Sequence, residues 1–128
     1  GKVNLYMNTE SKFEIANKAE RLYFSIIDIT TCRQHYPVRF RRIADKLQEC
    51  SISIYCNIID ANSYTTELYE QKRKKWDCQT QAINECNKLL SLIKYSLHAN
   101  LISAATSEKW TSAICDVKYM TLHWREKR

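Results

Sequence analysis

The chain has 128 residues, 45% apolar and 27% charged, proportions ordinary for a soluble protein and most simply packed as one domain. Glycine occurs once, at Gly1, and proline once, at Pro37, so no later residue is expected to supply a left-handed turn. That nearly excludes β-hairpins, and it rules out phosphate-cradling loops such as G-x-x-x-x-G-K-S/T. Twenty Lys and Arg against fourteen Asp and Glu leave a net charge of +6, a surplus that points to an anionic partner.

Met7 followed by Asn8-Thr9-Glu10 looks like a natural start, so residues 1–10 are expected to be an N-terminal extension, in part vector-derived, with the bundle domain over 11–128. Ser11 and Glu14 have capping-box spacing and predict a first helix from about residue 11 to Thr31. Its seam is Ile15, Ala19, Leu22, Ile26 and Ile29, widened by Phe13, Ala16, Tyr23 and Ile27. Residues 33–37 read as a loop, because Pro37 is preset for a first helical turn and pushes Tyr36 out of the α region.

A second helix is predicted from near Pro37 through Phe40, Ile43, Leu47, Cys50, Ile54, Ile58 and Ala61, about 28 residues and roughly 40 Å. The Ser63-Tyr64-Thr65-Thr66 cluster then marks a connection near 64–70. A third helix carries Trp76, Gln79, Ile83, Cys86, Leu90, Ile93 and Leu97 on its stripe to about Ala99, with Ala82 and Leu89 flanking. Asn100-Leu101-Ile102 connects to a fourth helix capped by Ser103, with Trp110, Ile114, Val117, Thr121 and Trp124 inward. The fold class is therefore all-α, an antiparallel up-down-up-down four-helix bundle.

No run approaches the roughly 18 apolar residues of a membrane span, and no secretory signal opens the chain, so a cytoplasmic protein is expected. The six cysteines are scattered and read as free thiols at core or boundary positions. No Cys or His pair has zinc spacing, and His98 and His123 lack the Glu three residues before them that a di-iron bundle needs. Asp28, Asp60, Asp77 and Asp116 are expected to pair with neighbouring Lys or Arg. With no catalytic set, metal or cofactor site legible, the expectation is a protein that is not an enzyme.

Two basic clusters stand out. Arg33, Arg39, Arg41, Arg42 and Lys46 gather around the loop that opens helix two, and Lys72, Arg73, Lys74 and Lys75 precede Trp76. In an antiparallel bundle they fall at opposite ends. Guanidinium forks pair bidentately with phosphate, so both clusters are candidate nucleic-acid-binding residues, with Tyr36 and His35 as candidate stacking groups. The competing reading is a solvated face that serves solubility. Surplus aromatics, Tyr55, Tyr64, Tyr69, Trp76, Tyr95, Tyr119 and Trp124, predict an oligomer contact or boundary packing.

The run Ser51-Ile52-Ser53-Ile54-Tyr55-Cys56-Asn57-Ile58-Ile59-Asp60-Ala61, after a Tyr36-Pro37 loop, resembles the four-helix-bundle proteins encoded in 23S ribosomal RNA intervening sequences. It is also similar to their relatives, the accessory variability determinants of diversity-generating retroelements. Gln81-Ala82, Cys86, Leu89-Leu90, Leu92-Ile93, Leu101-Ile102-Ser103 and a last helix ending at Trp124 extend the likeness over about 11–128. Asp60-Ala61-Asn62 stands where the intervening-sequence proteins commonly have a small or glycine position, and with the basic balance this tilts the resemblance toward the accessory determinants. What it implies is a homopentameric, barrel-like assembly that binds RNA or DNA and partners a reverse transcriptase. The alternatives are an intervening-sequence protein without an assigned role and a plain oligomeric scaffold.

Overall fold

The computed structural model describes residues 2–127, with side chains over 13–127. Four α-helices follow one another: α1 Lys2–Thr30, α2 Arg41–Ser63, α3 Tyr69–His98 and α4 Ala104–Glu126, with a 3-10 turn Val38–Phe40 before α2. Each helix packs on the two that flank it in an up-down-up-down ring, α1 on α2 and α4, α3 on α2 and α4, while the backbones of the diagonal pairs stay apart among the described residues. Short connections permit only this order, since each helix must return beside the last.

The ring is held by one apolar column. Ile15, Ala19, Leu22 and Ile26 from α1 meet Leu47, Ile54 and Ile58 from α2, Ala82, Cys86, Leu89 and Ile93 from α3, and Trp110, Ile114 and Val117 from α4. Burying each of the larger side chains stabilises the fold by about 1.5–3 kcal/mol. Trp110 is 1% exposed, and its indole N–H donates to Ser25 Oγ at 2.9 Å, so the largest core side chain leaves no orphaned donor.

Several local expectations are corrected. α1 continues unbroken from Lys2, so Ser11 sits inside a helix and the capping box does not open it. Phe13 is 65% exposed, because two residues before Ile15 it is rotated some 200° off the seam. α2 starts at Arg41 and has 23 residues, since Pro37 takes an extended ψ of 160° and leads into the 3-10 turn first. In α3 Gln79, Ile83, Cys86 and Ile93 face inward as expected, joined by Lys75, Ala82, Glu85, Leu89 and Ser96, while Leu97 is exposed and Trp76 and Leu90 are half-buried. The buried polar residues Lys75, Glu85 and Ser96 disguise part of that stripe from an apolar search.

The ends have specific closures. α1 stops where Thr30 and Thr31 turn their hydroxyls back to Ile26 O and Ile27 O at 2.6 and 2.7 Å, and Gln48 Nε2 ties α2 to Thr30 Oγ1 at 2.9 Å. α3 ends in a Schellman motif: Leu101 N donates to Ser96 O and Asn100 N to Leu97 O, with Asn100 at φ 60°. A left-handed residue is thus present without glycine, because the short Asn side chain tolerates that conformation. Ser103 Oγ accepts from Thr106 N at 3.1 Å and caps α4 as its sequence predicts.

Candidate nucleic-acid interface

At the end formed by the α1–α2 and α3–α4 connections, Arg33 lies in the loop, Arg39 in the 3-10 turn, Arg41 and Arg42 in the first turn of α2, and Lys46 one turn further. All five are exposed. The α2 N-terminus carries no acid in its first turn, although the helix dipole there favours Asp or Glu. Two arginines in that position cost stability and add their charge to the positive end of the dipole, so the potential at this tip exceeds that of the side chains alone. Lys46 is partly neutralised by Glu49 at 3.2 Å, both side chains being well exposed.

Stacking partners at this tip are fewer than the sequence suggests. Tyr36 is 4% exposed and plugs the bundle end, so it is a core residue and no base platform; burial pushes its phenol up, opposed by the Ser96 hydroxyl it faces. His35 remains exposed beside it. A shallow groove of about 260 Å³ lined by Thr31, Arg33, Tyr36, Pro37, Arg41 and Gln48 runs along this edge.

The second cluster divides. Arg73 and Lys74 are exposed and Lys72 is half-buried, whereas Lys75 is 6% exposed and points inward. Its ammonium donates to Ala61 O at 2.9 Å and Tyr64 O at 3.1 Å, the last carbonyls of α2 and its exit, and lies 4.9 Å from the Trp124 ring centroid. Lys75 is therefore a cap for α2, not a phosphate contact. The remaining cations join groups from α4: Arg125 stacks its guanidinium 4.4 Å from the Trp76 centroid and donates to Thr80 Oγ1 at 3.0 Å. Trp124, Arg125 and Lys127 complete a groove of about 230 Å³ with Tyr69, Lys72 and Arg73. The basic residues after Trp124 hint at it in the sequence, but only the packing of α4 on α3 brings them to Lys72 and Arg73.

A third basic groove, between α1 and α4, holds Lys18, Arg21 and Lys109, with Lys18 paired to Asp116 at 3.6 Å. No signal in the linear sequence joins residues that far apart. Among the described residues no group of three or more His, Cys, Asp or Glu converges to hold a metal ion. The six cysteines are free; burial, reinforced by Glu85, pushes Cys50 up to about 11, and burial pushes Cys86 up to about 12, so both are protonated at neutral pH. No helix among the described residues is long and apolar enough to cross a membrane.

The bundle superposes on a protein of unknown function from the S23 ribosomal protein family of Bacteroides thetaiotaomicron with a TM-score of 0.78, over 91% of this chain and 99% of that one. The two share a fold. At 12% identity the likeness extends to the backbone arrangement and no further, so side-chain chemistry has to be read from this chain itself. No family model and no curated protein matches the chain.

Proposed function

We propose that the chain is a non-catalytic nucleic-acid-binding protein that meets the phosphate backbone with its arginine end. The observation that carries this reading is the exposed set Arg33, Arg39, Arg41, Arg42 and Lys46 at the positive end of α2. Contacts of this kind grip phosphates without reading bases, so binding is largely independent of sequence. Following the family resemblance, the protein acts in the cytoplasm as a homopentamer and as the accessory partner of a retroelement reverse transcriptase during mutagenic copying. The fold shared with an S23-family protein also favours a second reading, an intervening-sequence bundle outside any retroelement. An adjacent reverse transcriptase gene with paired template and variable repeats separates the two.

Affinity should fall steeply with salt, with a log-log slope near −0.9 per phosphate neutralised on duplex DNA and about −0.7 on single strands. The Arg41→Gln/Arg42→Gln double variant should bind every duplex sequence more weakly and lose up to about two from that slope, with helicity and mass unchanged because both side chains point outward. Unchanged duplex affinity in that variant would move the phosphate contacts to the Lys72–Lys75 cluster, and only if neutralising that cluster were also without effect would the surplus charge be a solubility feature of a scaffold.

A further inference from the structure

We infer that the groove at the opposite end, between the start of α3 and the end of α4, is a second site that takes an unpaired base with its flanking phosphates. This rests on the nucleic-acid reading above and adds what the far end recognises: single strand rather than duplex. The observation is a juxtaposition of aromatic faces and cations from two helices. Trp76 and Trp124 line the groove half-buried, and Tyr69 stands at its mouth 79% exposed. Lys72, Arg73 and Lys127 rim it, and none of the described residues lining it is acidic. Arg125 is committed to Trp76, Thr80 and Glu126, which fixes the inner wall.

Chemistry of this kind suits one class of ligand. A duplex buries its base faces and offers only phosphate and groove edges, so aromatic walls would contribute nothing to gripping it. A single strand presents a π-face and a phosphate in alternation, and an aromatic platform with cations at its rim accepts both. At about 230 Å³ the groove is below the roughly 300 Å³ where drug-sized pockets begin, which fits one planar ring system. The arginine end has the converse character, exposed guanidinium groups with Tyr36 withdrawn into the core.

The experiment titrates the full chain with a short 5′-phosphorylated oligothymidylate, with its duplex, and with thymidine monophosphate, reading tryptophan fluorescence and anisotropy of labelled strands. Trp76 and Trp124 should be quenched by the single strand while buried Trp110 stays silent. Tyr69→Ala should weaken the single strand by roughly five- to a hundred-fold, the loss of one stacked base, and change duplex affinity less than about two-fold. Tyr69→Phe should retain binding. Lys72→Gln/Arg73→Gln should lower the single-strand salt slope by about 1.4. Tyr69 and Arg73 are exposed and Lys72 is half-buried, with glutamine keeping most of its stem, so these variants are expected to keep their fold, which circular dichroism checks.

Single-strand affinity and quenching that survive Tyr69→Ala and the Lys72/Arg73 pair would overturn the inference. So would monophosphate binding as tight as the strand, which would assign the groove to free nucleotides. Loss of duplex binding in the Arg41/Arg42 variant with no effect at Tyr69 removes this site and leaves the proposed function standing; the reverse pattern removes the arginine end instead.

Discussion

Lys75 illustrates how a single side chain can belong to a basic run in sequence and to the core in space. Its stem crosses apolar surface beside Trp124 while its ammonium donates to the carbonyl of Tyr64 and to that of Ala61, which also accepts from Tyr64 N at 3.3 Å. Hydrogen bonds to a charged group contribute more than neutral ones, and removing the donor strips the Tyr64 carbonyl of its ammonium and leaves the Ala61 carbonyl with the Tyr64 N–H alone. Lys75→Met keeps an apolar stem and removes the ammonium with its hydrogen bonds. It should lower unfolding stability by about 2 kcal/mol, seen as a drop in urea midpoint at unchanged m, while the salt slope of nucleic-acid binding stays as in the parent. A midpoint equal to the parent's would show that water serves those carbonyls as well. Lys72, Arg73 and Lys74 differ from Lys75 by no local signal in the run itself; the distinction comes from the rotation of α3 against α2.

At the level of elements, helix ends decide where the rods stop, and this chain ends them without glycine. Asn100 takes the left-handed position of the Schellman motif after α3, and Leu101, buried beneath it, anchors the turn. A β-branched residue cannot adopt φ 60° without strain, whereas glycine adopts it freely. Asn100→Val should therefore cost on the order of 1–3 kcal/mol and Asn100→Gly close to nothing, measured by chemical denaturation. Equal stability in the two variants would mean that the connection rearranges to another turn. The boundaries that were legible had explicit chemistry: Ser103 as cap, the Ser63–Thr66 cluster as break, Pro37 as loop end. α1 does not start at Ser11, because a Ser-x-x-Glu spacing arises equally inside a helix.

For the whole molecule, the uncovered apolar surface is as informative as the core. Along the outer side of the α1–α2 pair, Tyr23 packs edge-on to Phe24 at 4.7 Å and against Tyr55 at 5.1 Å, and Phe24, Ile52 and Ile59 remain 50%, 39% and 41% exposed. Such a face on a water-exposed bundle favours contact with another copy. Light scattering at micromolar concentration should give about five times the chain mass if the resemblance to the accessory determinants holds, and Phe24→Glu should reduce it. A monomer mass for the parent would remove the pentamer. The same mass is expected with and without reductant, because five of the six free thiols are buried or half-buried, out of easy reach of a thiol on another copy, and only Cys56 is exposed.

The sequence by itself determined the fold class, the order of four helices and the opposite placement of the two basic clusters, because hydrophobic period, a near absence of glycine and short connections leave an antiparallel bundle as the solution that buries every stripe. It also determined that Cys50 and Cys86 are core thiols, since they fall on apolar stripes. Only the tertiary structure decided which cations face water. Rotation of α3 sends Lys75 inward, and the return of α4 brings Trp124, Arg125 and Lys127 against Tyr69 and Arg73. Periodicity says which residues share a face of one helix, but the angle at which two helices meet is set by the packing of many side chains at once, and a groove between helices exists only after that angle is fixed.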